Sequence, residues 1–235
     1  MRFFRFWLAG IGLTLYWATR ALVASWRRVP STPGGIYDRA AYHWSKGLLA
    51  ASQITVKVEG LERVTELPCV FVANHVSMID IWALVVHLPV VPKFVMKKEL
   101  LKVPLLGAAA RGAGHIVIDR KNLPAAFDAY DQAAEVLRQG ASACVFAEGT
   151  RSRTGRLLPF KKGPFVLAIA AQVPVVPVLV EGAFELMPRL ALAPHPGVVT
   201  LRFGDPIPTT GLDYAARDSL SRQAWAALVA LGARV

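Results

Sequence analysis

A histidine and an aspartate five residues apart, in Asn74-His75-Val76-Ser77-Met78-Ile79-Asp80, sit between two strongly apolar runs, residues 70–73 and 81–88. The turn just past a buried strand is where an α/β protein places its reactive side chains. Histidine takes and returns a proton near neutral pH. A carboxylate beside it selects the ring tautomer and supports the imidazolium form. On one continuous helix, residues five apart lie about 140° apart around the axis and do not meet. The two therefore work together only with His75 on a loop and Asp80 in the first turn of the next helix, with Ser77 as its N-cap. The stretch Ser77-Met78-Ile79-Asp80 also has the pattern of a capping box, in which the carboxylate only satisfies backbone N–H groups. The motif alone leaves both readings open.

Three further stretches follow. Gly114-His115-Ile116-Val117-Ile118-Asp119-Arg120 puts Arg120 at the end of an apolar strand. A guanidinium there is shaped to grip phosphate with two donors, or else to pair with a carboxylate such as Asp119. Val145-Phe146-Ala147-Glu148-Gly149-Thr150-Arg151-Ser152 again runs from a strand into a polar turn. Gly149 permits an unusual backbone or a close approach there. Thr150, Arg151 and Ser152 offer donors to an anion, and Arg153, Arg156, Lys161 and Lys162 follow. A solvated basic loop is the plainer reading of the same residues. The last stretch, Val173-Pro174-Val175-Val176-Pro177-Val178, carries no chemistry; its prolines predict the start of a strand and a bend.

The elements that must position these groups alternate. Strands are predicted at 54–58, 69–73, 94–96, 115–118, 143–146, 175–180 and 198–203. Helices are predicted at 80–87, 104–110, 123–138, 164–171 and 214–231. Short apolar runs separated by helical patterns predict an α/β fold, a β-sheet with helices on its faces. The 235 residues suit one domain with an appendage. Cys69 and Cys144 lie inside strand-like runs and read as buried reduced thiols, and no Cys/His spacing resembles a zinc site.

The chain is 54% hydrophobic, with a net charge of +11, a mean hydropathy of +0.41 and a pI near 10.1. An oily, basic chain suits an anionic membrane surface and argues against a nucleic-acid module. An uncharged run of 14 residues, Phe6 to Thr19, is bracketed by Arg5 and Arg20. As a helix it spans about 21 Å, short of a hydrocarbon core of roughly 30 Å. Trp7, Tyr16, Trp17 and Trp26 favour the headgroup interface, and Arg2, Arg5, Arg20, Arg27 and Arg28 can meet anionic heads. Apolar positions at Tyr37, Ala40, Ala41, Trp44 and Leu48 predict a second helix beyond a Pro/Gly turn. The expectation is a two-helix membrane-associated unit at residues 1–52, lying in or on the bilayer, and a globular domain at 53–235. A single tilted span and a signal peptide are competing readings. Against the signal peptide, Arg20 stands close to any cleavage point and no small-x-small site follows the run.

The four stretches, in this order, resemble the glycerolipid acyltransferase family, most closely its bacterial 1-acylglycerol-3-phosphate acyltransferases. His75-x4-Asp80, Gly114 to Arg120, Glu148-Gly149-Thr150-Arg151-Ser152 and the Val-Pro-x-x-Pro-Val run match its four blocks. Lys98-Glu99-Leu100 with Val103-Pro104 and Gly107, and Pro159-Phe160-Lys161-Lys162-Gly163, match the segments between them. The similarity covers residues 53–180. One departure is Ala147, where the family usually has proline; the change loosens the turn without removing a reactive group.

The resemblance implies a mixed sheet flanked by helices. It implies transfer of an acyl chain from acyl-CoA or acyl carrier protein to the sn-2 hydroxyl of lysophosphatidic acid. His75 is then the general base and Asp80 its orienting partner. Arg120 and Arg151 take the acceptor phosphate, with Glu148, Gly149, Thr150 and Ser152 shaping that subsite, while Lys97, Lys98, Lys161 and Lys162 are marginal candidates for donor phosphate or lipid headgroups. With no Ser or Cys placed as a nucleophile, hydroxyl attack is direct. No metal and no cofactor beyond the thioester donor are expected. The expected partners are that donor, the lysolipid and a phospholipid surface. The expected place is the cytoplasmic face of a bacterial inner membrane.

Overall fold

Seven short runs rich in valine and isoleucine pair into one sheet in a computed structural model that describes residues 2–103, 105–119 and 123–235, with backbone only at 2 and 123–127. They are β1 (Ile54–Glu59), β2 (Val70–Ala73), β3 (Lys93–Lys97), β4 (Ile116–Ile118), β5 (Ala143–Phe146), β6 (Val175–Glu181) and β7 (Gly197–Phe203). The spatial order is β1-β7-β6-β2-β5-β3-β4. Strands β6, β2, β5, β3 and β4 run parallel, and β7 turns antiparallel to β6 and carries β1 beside it. The sheet is mixed, as expected. Its parallel block brings the carboxyl ends of β2, β5, β3 and β4 to one edge, the edge at which open α/β sheets bind ligands.

Alternation along the central strands divides the core. Phe71, Ala73, Cys144, Val176 and Val178 face one layer, covered by α1 (Arg2–Trp26), α2 (Ile36–Ala51) and α3 (Ile79–His87). Val70, Val72, Ala143, Val145 and Val175 face the other, with side chains from α5 (Leu123–Arg138), α6 (Gly163–Ala171) and α8 (Arg217–Ala230). Strands buried on both sides explain why β2 and β5 read as unbroken apolar runs. The short α4 (Leu106–Gly112) follows a 3₁₀ turn at Lys98–Lys102, and α7 (Ala183–Leu186) follows β6. Pro104, part of one matching segment, lies outside the described residues.

Three expectations change. The first helix is 25 residues long, against an apolar run of 14, because its arginines are good helix formers and no proline intervenes before Pro30. At about 1.5 Å per residue it exceeds a hydrocarbon core in length. It is nonetheless packed on one side: Phe6 enters the core beside Trp82, Trp44 donates its indole N–H to Thr14, and Ala21 and Ala24 meet Tyr37. The C-terminal helix opens as a 3₁₀ turn at Tyr214–Ala216, where Asp213 accepts the N–H of Ala215. Finally, Pro177 lies inside a central strand. The ladder to β7 stops at Val178–Phe203 and resumes at Val175–Ile207, so the facing segment carries one extra residue just where proline lacks its N–H.

Candidate active site

The β2 strand ends at Ala73, and its first polar residue holds the turn. Asn74 accepts the N–H of Val180 at 2.7 Å and donates to the Val180 carbonyl at 3.0 Å, extending the β2–β6 pairing through a side chain. His75 follows on the loop. Its Nδ1 lies 2.8 Å from Asp80 Oδ2. The same oxygen accepts the N–H groups of Val76 at 2.7 Å and Ser77 at 2.8 Å. An oxygen that takes two backbone donors is an acceptor toward the ring as well. Nδ1 therefore carries the hydrogen, and Nε2 keeps its lone pair. The capping and dyad readings are one arrangement: the carboxylate that closes the helix start also fixes the imidazole. Asp80 is fully buried.

The helix itself starts at Ile79, one residue before the predicted 80, with Met78 rather than Ser77 at its boundary. Ser77 still contributes. Its Oγ accepts the N–H of Ile79 at 3.2 Å and donates to the carbonyl of Met187 at 2.8 Å, which ties the histidine loop to the segment after α7.

Strand β5, next to β2, supplies the floor. The Phe146 ring lies parallel to the His75 ring with centroids 3.9 Å apart and planes 14° apart. It restricts the imidazole to one plane and presents a π face to it when charged. Phe94 of β3 stacks on Phe146 in turn, with centroids 6.3 Å apart. The chain then turns through Gly149, whose φ of 73° is a left-handed conformation suited to glycine and whose N–H reaches the Phe146 carbonyl. That bond closes the turn even with Ala147 in place of proline.

Glu148 sits differently from the expected acceptor subsite. It is 2% exposed. One carboxylate oxygen accepts the N–H of His75 at 2.7 Å and the other the N–H of Leu158 at 3.0 Å. Burial pushes its carboxyl up to about 7, opposed by these two bonds and aided slightly by the Asp80 charge. Ser152 is also fully buried, and its N–H donates to the His75 carbonyl at 2.7 Å. Both groups hold the histidine loop against the basic loop rather than opening onto solvent.

Thr150 is exposed and Arg151 half-buried, and neither makes a side-chain hydrogen bond or ion pair among the described residues. Arg120 lies outside the described residues. Of the marginal lysines, Lys98 pairs with Asp119 at 3.1 Å and Lys162 with Asp218 at 2.9 Å, whereas Lys97 and Lys161 are exposed. The remaining polar groups of the blocks are structural. Desolvation pushes His115 down to about 4, with Lys93 adding to the effect, and its Nδ1 accepts the N–H of Phe94. Burial pushes the Cys69 thiol up to about 12 and raises that of Cys144 as well, so neither is a thiolate nucleophile. Among the described residues no three metal-ligating side chains converge.

The sequence reading missed Phe146, Asn74 and the Ser77–Met187 link. Phe146 was the most accessible of these, an aromatic at the last position of a predicted strand.

A family model described as Acyltransferase matches residues 55–181. The chain is 36% identical over 158 residues to 1-acyl-sn-glycerol-3-phosphate acyltransferase BAT2, chloroplastic, of Brassica napus, covering 65% of this chain and 46% of that protein. It is 36% identical over 161 residues to the human 1-acyl-sn-glycerol-3-phosphate acyltransferase alpha, covering 68% and 57%. The chain thus spans about half the length of the curated relatives it matches. The crystal structure of the 1-acyl-sn-glycerophosphate (LPA) acyltransferase PlsC from Thermotoga maritima matches with a TM-score of 0.70 and 26% identity, over 100% of this chain and 99% of that one.

Proposed function

The chain belongs to the acyltransferase family, and from that we propose that it transfers an acyl group from a thioester to the free sn-2 hydroxyl of a 1-acylglycerol 3-phosphate, releasing phosphatidic acid and the donor thiol. The observation that carries this reading is the pair His75 Nδ1 and Asp80 Oδ2 at 2.8 Å, which leaves Nε2 as the base.

In the proposed reaction the acceptor hydroxyl gives its proton to His75 Nε2 as its oxygen attacks the thioester carbonyl. Asp80 and the stacked Phe146 ring favour the imidazolium that forms. Collapse of the tetrahedral species breaks the C–S bond, and the proton passes to the departing thiolate. No enzyme-bound acyl group is formed. Arg151, half-buried next to the turn and unpaired among the described residues, takes the acceptor phosphate with Thr150 beside it. Arg120 is proposed as a second phosphate ligand from its place in the matching block alone. Glu148, Gly149 and Ser152 serve by shaping and fixing the two loops.

Acyl-CoA or acyl carrier protein is the donor, and no metal or further cofactor is invoked. Residues 1–52 are the anchoring unit. Its α1 leaves Phe3, Phe4, Trp7, Leu8, Ile11 and Leu15 exposed, an apolar face that supports work at a membrane surface, here proposed to be the cytoplasmic face of a bacterial inner membrane.

The test is a purified-enzyme assay crossing lysophosphatidate, glycerol 3-phosphate and other lysolipids with both donor types, with products read by mass. Phosphatidate formation that depends on His75 supports the reading. Preference for another acceptor moves the substrate within the family, and no transfer with any pair leaves a lipid-binding protein.

A further inference from the structure

The segment between α7 and β7 exposes two leucines beside the catalytic loop. Leu190 is 90% and Leu192 70% exposed. Backbone hydrogen bonds hold the stretch that carries them. The N–H of Ala191 bonds the carbonyl of Pro188, a β-turn with Arg189 and Leu190 at its tip. The N–H of His195 bonds the carbonyl of Leu186 and closes the loop at its base. Pro188, Pro194 and Pro196 restrict its backbone further. A turn built to hold a leucine almost wholly in water calls for an apolar environment that covers it.

Two contacts say where the loop lies. Met187, next to the turn, accepts the Ser77 hydroxyl at 2.8 Å, so the loop is tethered two residues from His75. Pro194 and Pro196, at its far end, line one cleft with Arg5 and Phe6 of α1. The far end of the loop thus lies against the first turns of α1, the helix that exposes Phe3, Phe4, Trp7 and Leu8. Charge follows the same line: Arg189 sits in the turn with no ion pair among the described residues, and Arg5 is exposed at the cleft.

We propose that the Pro188–Pro196 loop is a second bilayer-inserting element, in which Leu190 and Leu192 enter the acyl region of an anionic membrane while Arg189 and Arg5 meet its headgroups. The occupant is a lipid surface. The inference rests on the membrane reading of α1 but goes beyond it, because it assigns the loop tethered to the histidine, not only the anchor, to the interface. Its consequence is local. The bilayer is held against the mouth of the site, so a lysolipid reaches His75 without leaving the interface.

Cys69 and Cys144 are fully buried, so single cysteines can be labelled selectively with an environment-sensitive fluorophore. Leu190→Cys tests the loop, Leu8→Cys tests α1, and Glu135→Cys, exposed on α5 across the sheet from α1, is the solvent control. The probe is vesicles of phosphatidylcholine and phosphatidylglycerol. The expected result is a blue shift at 190 and 8 but not at 135. A shift at 8 with none at 190 overturns the loop proposal and leaves the anchor standing. No shift at either overturns both. A shift at 190 that grows with protein concentration without vesicles makes the loop a contact between copies and also overturns it. In a second test, the Leu190→Ser, Leu192→Ser double variant is expected to weaken vesicle partitioning roughly tenfold or more, with the thermal midpoint and turnover of a short-chain, water-soluble acceptor unchanged. Unchanged partitioning overturns the proposal.

Discussion

Glu148 accepts the main-chain N–H of His75 at 2.7 Å, so a carboxylate from the turn after β5 holds the loop that carries the proposed base after β2. Its other oxygen takes Leu158, which binds the basic loop into the same clamp. In the proposed reaction the glutamate of the Glu-Gly-Thr-Arg block thereby serves as a positioning residue.

Replacing Glu148 by alanine leaves two part-buried donors without partners, at up to about 1–3 kcal/mol each. The expected outcome is a lower thermal midpoint and a fall in kcat larger than any change in acceptor KM. A variant with native stability and turnover would remove the clamp from the mechanism.

The pH dependence of stability has a definite sign. Burial raises the Glu148 carboxyl from the ordinary 4.5 to about 7. Between those values the folded protein keeps a proton that the unfolded chain has lost. This contribution is complete below about pH 4.5 and disappears as pH rises toward 7. Thermal melts across that window should show a downward slope with rising pH that Glu148→Gln flattens. Parallel slopes in the two proteins would refute the assignment.

His75→Ala should lower kcat by roughly 10²–10⁴-fold with little change in stability, since the ring is replaced without orphaning a buried donor. Asp80→Ala should lower turnover comparably and also destabilise, by about 1 kcal/mol, because Asp80 closes the helix start through Val76 and Ser77. Steady-state kinetics with melts on both variants separate the two roles. Retained turnover in either one would end the dyad mechanism.

Arg151→Ala should raise KM for the phosphorylated acceptor at least tenfold and leave the donor KM nearly unchanged. Arg151→Lys should recover only part of the loss, since a point charge does not reproduce a two-donor fork. An equal effect on donor and acceptor would move Arg151 away from the acceptor phosphate.

Phe146→Leu should keep the core filled but release the His75 ring. A several-fold fall in kcat with little change in the thermal midpoint is the expected signature of losing the π face. Unchanged turnover would make the stacking incidental.

Much of this protein is visible in one dimension. The seven strands follow from β-branched runs a few residues long, and α5 follows from a helical period that ends at Gly140. The His75–Asp80 pair could be named as a candidate from residue type and placement after a strand. The length of α1 could not be taken from hydropathy, because an apolar run measures polarity while a helix continues through any residue whose backbone tolerates it; Arg5 and Arg20 interrupt one and not the other. Pro177 looked incompatible with a central strand, and only the extra residue on the facing segment shows where its missing N–H falls.

The sequence by itself determined which groups are candidates for chemistry: a histidine, a carboxylate five residues on, an arginine and the turn that carries it. Those are local properties of residue type and of a few neighbours along the chain. The division of labour among them was decided by tertiary structure. Whether Glu148 meets a ligand or a backbone depends on β5 lying beside β2, and that adjacency comes from a strand order, β6-β2-β5-β3, that does not follow the chain. The same holds for Phe146 under His75 and for Met187 against Ser77, contacts between positions 71 and 110 residues apart in sequence. Such contacts are set by the packing of two apolar layers on one sheet, which no local pattern encodes.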